Sequence, residues 1–248
     1  MTYAKSAQFY DYFDTKGNAA FYVRMAEETE GDILELGVGT GRVLFELAKL
    51  KRDCVGIDNS PEMLREAKRK RRNQFPELAG RTRFILGDML MLDLGRTFGL
   101  VCAPSGSIQG ESADDIRGIF RRASEHLSPG GIFAFDIMSP CALKQTKVCS
   151  PERQEVPGGR VVVRFIAQTY NEGDEAASLD LLFKEHIPGR TRYETYKEEC
   201  TVAIITLPAV REALEYAGLK FEKVYGDFEG GDFTDESPRT IVTARKPL

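Results

Sequence analysis

Apolar positions follow two alternating rhythms along the chain. Short, nearly unbroken apolar runs stand at 32–36, 54–57, 83–86, 99–103 and 132–137. Between them, at 42–50, 61–73 and 114–127, apolar residues recur at spacings of three and four. The runs predict strands buried on both faces, and the wider spacing predicts amphipathic helices. Ser60 before Pro61 is a helix cap followed by proline at the first helical position. The helix at 114–127 is stopped by Ser128-Pro129-Gly130-Gly131. Strand–helix alternation of this regularity predicts an α/β fold with a parallel sheet covered on both faces.

The rhythm differs at both ends. Residues 1–30 read as one or two helices, with Phe9, Tyr10, Tyr12 and Phe13 first, then Phe21, Tyr22, Met25 and Ala26 after Gly17-Asn18. Between Ser139 and Thr206 three extended segments, 160–170, 177–186 and 192–205, are separated by Asn171-Glu172-Gly173-Asp174 and Pro188-Gly189-Arg190. That pattern predicts an antiparallel meander, too long for a plain connection. A helix at 207–217 ends at Gly218, and strands at 221–225 and 240–244 close the chain.

Composition narrows the class. Of 248 residues, 42% are hydrophobic and 29% charged, which excludes disorder as the main state. Lys+Arg 34 against Asp+Glu 38 gives −4, which argues against a general binder of nucleic acid or anionic membranes. No run approaches the ~20 apolar residues of a membrane span. The polar start, Met1-Thr2-Tyr3-Ala4-Lys5-Ser6 with Asp11 and Asp14 soon after, does not read as a secretory signal. Five cysteines, none in a CxxC pair, and two histidines predict a reduced, cytoplasmic protein without a metal site.

Three strand ends carry the candidate chemistry. The first strand runs into Glu35-Leu36-Gly37-Val38-Gly39-Thr40-Gly41-Arg42 and then a helix. Glycines there let the backbone approach a ligand closely, at the carboxyl end of a strand where open α/β sheets bind. Arg42 occupies the third-glycine position of a dinucleotide fingerprint, and no Gly-Lys-Ser/Thr follows, so neither that fingerprint nor a P-loop is present. A turn that binds nothing also fits the glycines alone. Asp58 ends the second strand, where an acid can accept both hydroxyl hydrogens of a ribose. Ser60 already fills the cap, leaving Asp58 for a ligand. Leu86-Gly87-Asp88-Met89 closes the third strand, where Asp88 can accept from an adenine amino group and Met89 can face the ring.

Together with Leu127-Ser128-Pro129-Gly130-Gly131 leading into 132–136, these motifs resemble the class I S-adenosylmethionine-dependent methyltransferases. The resemblance covers roughly residues 30–137 and continues through 207–246, where Ser237-Pro238-Arg239 looks like a closing element. It implies a doubly wound, mostly parallel seven-stranded sheet with a reversed last strand, Rossmann-like, plus an antiparallel β insertion. It also implies a binding domain of residues 1–138 and 207–248 with a helical lid at 1–30. The insertion, 139–206, would form an acceptor roof or a dimer interface.

The implied cofactor is S-adenosylmethionine, and the product S-adenosylhomocysteine. Gly37, Val38, Gly39 and Gly41 would line its methionine part, with Glu35 beneath, holding the turn. Asp58 would bind ribose, and Asp88 and Met89 adenine. Tyr10 would fold over the cofactor, and Asn59, Met63, Gly87, Pro104 and Ser105 are placed in the same site. The N-P-P-Y type motif of base and amide methylation is missing from Ala103-Pro104-Ser105-Gly106-Ser107-Ile108-Gln109.

The implied activity is methylation of a small-molecule nitrogen or oxygen by direct displacement. No residue declares itself as a base. Ser107, Gln109, Tyr193, Tyr196 and His186 are polar candidates, each also explained by loop, packing or surface roles, and His126 reads as structural. Lys68-Arg69-Lys70-Arg71-Arg72 reads as a solvated helix face. A non-catalytic cofactor-binding protein, an RNA methyltransferase and an NAD-dependent oxidoreductase are the alternatives.

Overall fold

The computed structural model describes residues 6–13, 17–110 and 112–248. The sequence readings that fall on Met1 to Lys5 and Asp14 lie outside the described residues.

Strand β1 (Ile33–Leu36) is buried at every position, because it has a neighbour on either side and helices on either face. It pairs in parallel with β2 (Cys54–Asp58) and β4 (Phe98–Ala103). β3 (Thr82–Leu86) extends the sheet beside β2, and β5 (Leu127–Met138) beside β4, again in parallel. The last strand, β12 (Arg239–Arg245), runs antiparallel to both β5 and β11 (Lys220–Tyr225). The order is therefore β11-β12-β5-β4-β1-β2-β3, a seven-stranded sheet with one reversed strand.

Helices cover both faces. Successive strand side chains point to opposite faces, so Leu34 and Leu36 meet one layer while Ile33 meets the other. The first layer holds α5 (Ala113–Glu125) and α7 (Leu207–Tyr216), with Ile119, Phe120, Val210 and Leu214 in its core. The second holds α2 (Ala19–Glu27), α3 (Arg42–Ala48) and α4 (Pro61–Gln74), through Phe21, Leu44, Phe45 and Leu64. Ser60 caps α4 as its sequence predicts, its hydroxyl accepting from the Met63 N–H at 3.2 Å.

A second sheet stands between β5 and α7. After a short helix α6 (Pro140–Leu143), strands β6 (Lys147–Val148), β7 (Glu152–Val156), β8 (Arg160–Thr169), β9 (Ala176–His186) and β10 (Glu194–Ala203) form an antiparallel sheet in the order β10-β9-β8, with β6 and β7 both pairing with β8. The meander thus has five strands where the sequence pattern predicts three. In β7 the inward positions Glu152 and Gln154 are polar, so its alternation carries no apolar signal. A second correction concerns β5, which begins at Leu127 rather than at 132. Phe98 pairs with Leu127 and Leu100 with Ile132, and the bulge between them is held by backbone bonds between Gly130, Gly131 and Lys246.

The described N-terminal residues join the two sheets. In α1 (Tyr10–Phe13) and the turn before it, Phe9 and Phe13 pack with Val162, Leu181 and Phe183 of the meander. Asp11 reaches the other way, accepting from Thr40 Oγ1 at 2.7 Å and pairing with Lys70 Nζ at 2.7 Å.

Candidate active site

The turn that ends β1 has its shape because Gly37 lacks a side chain. Its φ is +69°, and a Cβ there would fall 2.4 Å from the Ser107 Cβ. Ser107 in turn donates its hydroxyl to the Leu36 carbonyl at 2.9 Å, fastening the β4 loop against this turn. The Gly39 N–H donates to Asp58 Oδ2 at 2.7 Å, and the Ser60 N–H to Asp58 Oδ1 at 2.8 Å. Asp58 is therefore engaged on both oxygens, not free as its sequence context suggests. A carboxylate has about four lone-pair sites, so two stay available. Burial raises the Asp58 pKa, and the two backbone bonds oppose that rise.

Glu35 lies beneath the turn, 2% exposed. Burial pushes its carboxyl up to about 8; Arg42 and Lys70 pull it down, and Asp58 adds to the rise. Its Oε2 has no hydrogen-bond partner among the described residues. A buried, unmatched carboxyl oxygen is costly, and a cationic ligand group placed there would satisfy it.

A cavity of about 480 Å³ runs from this turn to the inner face of the meander. At the turn end Gly37, Val38, Gly39, Asp58, Asn59 and Met63 line it, and Glu35 and Met89 face it as well. Tyr10, Pro104 and Ser105 line its middle. Three sequence-predicted residues do not line it. Gly41 caps α3 against Phe45, where a Cβ would come within 2.9 Å of that ring. Gly87 sits outside, and Asp88 is exposed. The Asp88 side chain accepts from the Leu90 N–H at 2.9 Å, capping a single turn of helix at Met89–Met91.

The middle of the cavity rests on a buried ionic cluster. Asp136, wholly buried, accepts from the Tyr22 hydroxyl at 2.6 Å and the Ser105 N–H at 2.8 Å, and pairs with Arg239. Ser105 is held at φ +61°, a conformation that costs a non-glycine residue of order 1–3 kcal/mol. Its hydroxyl accepts from Arg42 Nη2 at 3.0 Å and Asn18 Nδ2 at 3.1 Å. Both acceptor positions of that oxygen are filled, so its own hydrogen has to be donated elsewhere, and the cavity is beside it.

The far end is built from the meander, and the sequence pattern does not single it out. On β8, Arg164, Ile166 and Gln168 alternate inward; on β9, Leu179 and Leu181 do the same; Lys147, Cys149 and Glu152 come from the adjoining edge. Period-two alternation on β8 was the available signal. Gln109, a polar candidate, spends its amide on the Met138 and Ala203 carbonyls and the Met138 N–H. It ties the β4 loop to β5 and β10, which is a framework role.

The remaining candidates stand apart from the cavity. Tyr196 places its hydroxyl between Glu185 and Glu194, Tyr193 is exposed, and His186 rests against the Tyr193 ring. His126 is buried and structural: the Leu94 N–H donates to Nε2 at 3.0 Å, and Nδ1 faces the Arg122 carbonyl at 2.7 Å. The basic run on α4 is not one solvated face, because Lys70 is buried against Asp11 and Arg71 donates to the Thr82 carbonyl. Among the described residues no group of three or more His, Cys, Asp or Glu is arranged to hold a metal, and no helix is long and apolar enough to cross a membrane.

A doubly wound sheet with β12 reversed, a glycine turn over a buried acid at β1 and a second acid ending β2 together define a class I S-adenosylmethionine-dependent methyltransferase architecture. Residues 33–131 match the family model described as a methyltransferase domain, and the findings together make the chain an S-adenosylmethionine-dependent methyltransferase. It is 28% identical over 222 residues to the cypemycin N-terminal methyltransferase of a Streptomyces species, covering 86% of this chain and 82% of the relative. It is 24% identical over 223 residues to the Streptomyces venezuelae dTDP-3-amino-3,4,6-trideoxy-alpha-D-glucopyranose N,N-dimethyltransferase, covering 89% and 88%. Its fold is that of an S-adenosylmethionine-dependent methyltransferase from Clostridium acetobutylicum, with a TM-score of 0.80 at 22% identity over 99% of both chains.

Proposed function

We propose that the protein methylates an amine nitrogen of a small molecule, with the acceptor enclosed under the meander. The observation that carries the reading is the single cavity joining the glycine turn to the inner face of β8 and β9. Of the curated relatives described above, one is named an N-terminal methyltransferase and the other an N,N-dimethyltransferase of an amino sugar nucleotide. The same cavity favours an enzyme over a passive binder, since residues of the glycine turn and of β8 and β9 line one continuous space. Lys70, turned inward, interrupts the basic surface an RNA substrate would need.

In this reading Gly37, Val38 and Gly39 cradle the methionine part of S-adenosylmethionine, and Glu35 receives its ammonium group. Asp58 takes the ribose hydroxyls with its two remaining lone pairs, beside Asn59. Met63 and Met89 flank the adenine, and that role leaves Asp88 as a cap. Tyr10, Pro104 and Ser105 border the reacting centre. Bound there, the cofactor supplies a methyl group on a sulfonium. The acceptor nitrogen forms the new C–N bond with its lone pair, the C–S electron pair goes to sulfur, and the ammonium product loses a proton to solvent. Charge is lost at sulfur during transfer, so alignment and exclusion of water supply the rate without a dedicated base. We assign residues 139–206 the part of roof rather than of an interface between copies, and residues 1–30 the part of lid.

The test is calorimetric titration with S-adenosylmethionine and S-adenosylhomocysteine, with Asp58→Ala in parallel, followed by labelled-methyl transfer to a panel of small amines and alcohols. Saturable binding lost in Asp58→Ala, then transfer to amines, is the expected result. Transfer to alcohols alone would overturn the nitrogen assignment, and absence of binding by folded protein would overturn the cofactor site.

A further inference from the structure

The two ends of the cavity differ in the state of their charges. At the turn end a carboxyl oxygen lacks a partner. Elsewhere the carboxylates are already matched: beneath the middle Asp136 by Arg239, and at the meander end Glu152 by Arg164, whose Nη2 lies 3.1 and 2.9 Å from its two oxygens. The cations there are not all matched. Lys147 lines the cavity and makes no hydrogen bond or ion pair with any described residue. Arg164 is only 14% exposed in its side chain and carries five donors, yet its buried Nε has no partner among the described residues. Its guanidinium stands over the Phe13 ring, 4.8 Å from the centroid, which holds its plane in place.

We infer that the methyl acceptor carries an oxyanion, a carboxylate or a phosphate, and that Arg164 and Lys147 bind it. This rests on the amine-methylating reading above. The strand register sets the reach. Lys147 pairs with Gln168, four residues along β8 from Arg164 on the same face. At ~3.3 Å per residue their backbones stand roughly 13 Å apart, a span that two long side chains close over Ile166 and Cys149. An acceptor with only an ammonium group would meet cations and no unmatched carboxylate at this end. An oxyanion-bearing amine would be held by its anion while the surrounding positive charge lowers the amine pKa. That keeps the nitrogen neutral and nucleophilic, which the transfer requires.

The experiment titrates inorganic pyrophosphate and, separately, succinate into wild-type protein saturated with S-adenosylhomocysteine, and into Lys147→Met, Arg164→Met and Lys184→Met. Lys184 is exposed on the meander and does not line the cavity. At least one anion is expected to bind the wild type. Its affinity should fall about tenfold or more in the first two variants, the scale of a lost hydrogen bond to a charged group. It should be unchanged in Lys184→Met, and S-adenosylhomocysteine affinity should be unchanged in all three. Lys147 is exposed, so its variant folds whatever Arg164→Met does to its contact with Glu152. Pyrophosphate alone binding assigns a phosphate-bearing acceptor, and succinate alone a carboxylate-bearing one. No binding of either anion, or equal weakening in Lys184→Met, overturns the inference while the cofactor site stands. Failure to bind S-adenosylhomocysteine overturns the reading beneath it.

Discussion

The turn end of the cavity is made of backbone: glycines at 37 and 39, two N–H groups on Asp58, and a carboxyl under the turn. The meander end is made of side chains projecting from β6 to β9. Backbone cradles tolerate few residue types, because a Cβ or a wrong φ closes them. Side-chain surfaces tolerate many, since any residue of suitable size and charge can project from a strand. A cofactor shared by a whole superfamily suits the first kind of construction. An acceptor that differs between relatives suits the second.

The contrast can be broken first at the boundary between the two ends. Arg239→Met would leave Asp136 buried without its cation beneath Ser105. Removing one partner of a buried pair typically costs about 3–5 kcal/mol, and urea unfolding should show a loss of that size. A loss below about 1 kcal/mol would mean that Asp136 does not pin the two ends together. The next effect belongs to the turn alone. Gly37→Ala brings a Cβ against Ser107 at a left-handed φ, a strain of about 2 kcal/mol or more, or roughly 30-fold in S-adenosylhomocysteine affinity. Pyrophosphate binding at the meander end should be unaffected. If both ligands weaken together, the two ends are not independent.

A third effect depends on pH. The Glu35 pKa is raised by burial from 4.5 to about 8. The folded state therefore holds a proton that the unfolded chain has released, and the stability cost grows as pH rises from 4.5 toward 8. Glu35→Gln removes the titration. In the absence of ligand its melting temperature should equal that of the wild type below about pH 4.5 and exceed it near pH 8. The span from 4.5 to about 8 sets the gap at up to about 5 kcal/mol. Wild-type affinity for S-adenosylhomocysteine should rise with pH up to about 8, as the carboxylate forms opposite the ligand ammonium, and the Gln variant should show no such rise. A melting gap that is constant with pH would place the Glu35 proton elsewhere.

Legibility along the chain follows the same division. The sheet, its helices, the Ser60 cap and the glycine turn each rest on local rules of periodicity or sterics, and those rules act within a few residues. Asp88 shows where local reading fails. Its position at the end of β3 matches Asp58 at the end of β2, yet its carboxylate turns back to the Leu90 N–H. Asp serves its own backbone as readily as a ligand, and the sequence pattern does not distinguish the two. β7 was hidden for a different reason: Val156 is its one apolar inward residue, while Gln154 is polar and Glu152 faces the cavity and Arg164, and alternation is visible only when one face is apolar.

Local sequence rules were enough for the class of sheet, the glycine turn after β1 and the presence of an antiparallel insertion. The assembled fold alone shows that Arg239 meets Asp136 across 103 residues, that Lys70 turns inward to Asp11, and that Lys147 and Arg164 face one space. These pairings depend on strand register and on how two sheets meet. Both are set by many distant contacts at once, and no short stretch of sequence contains them.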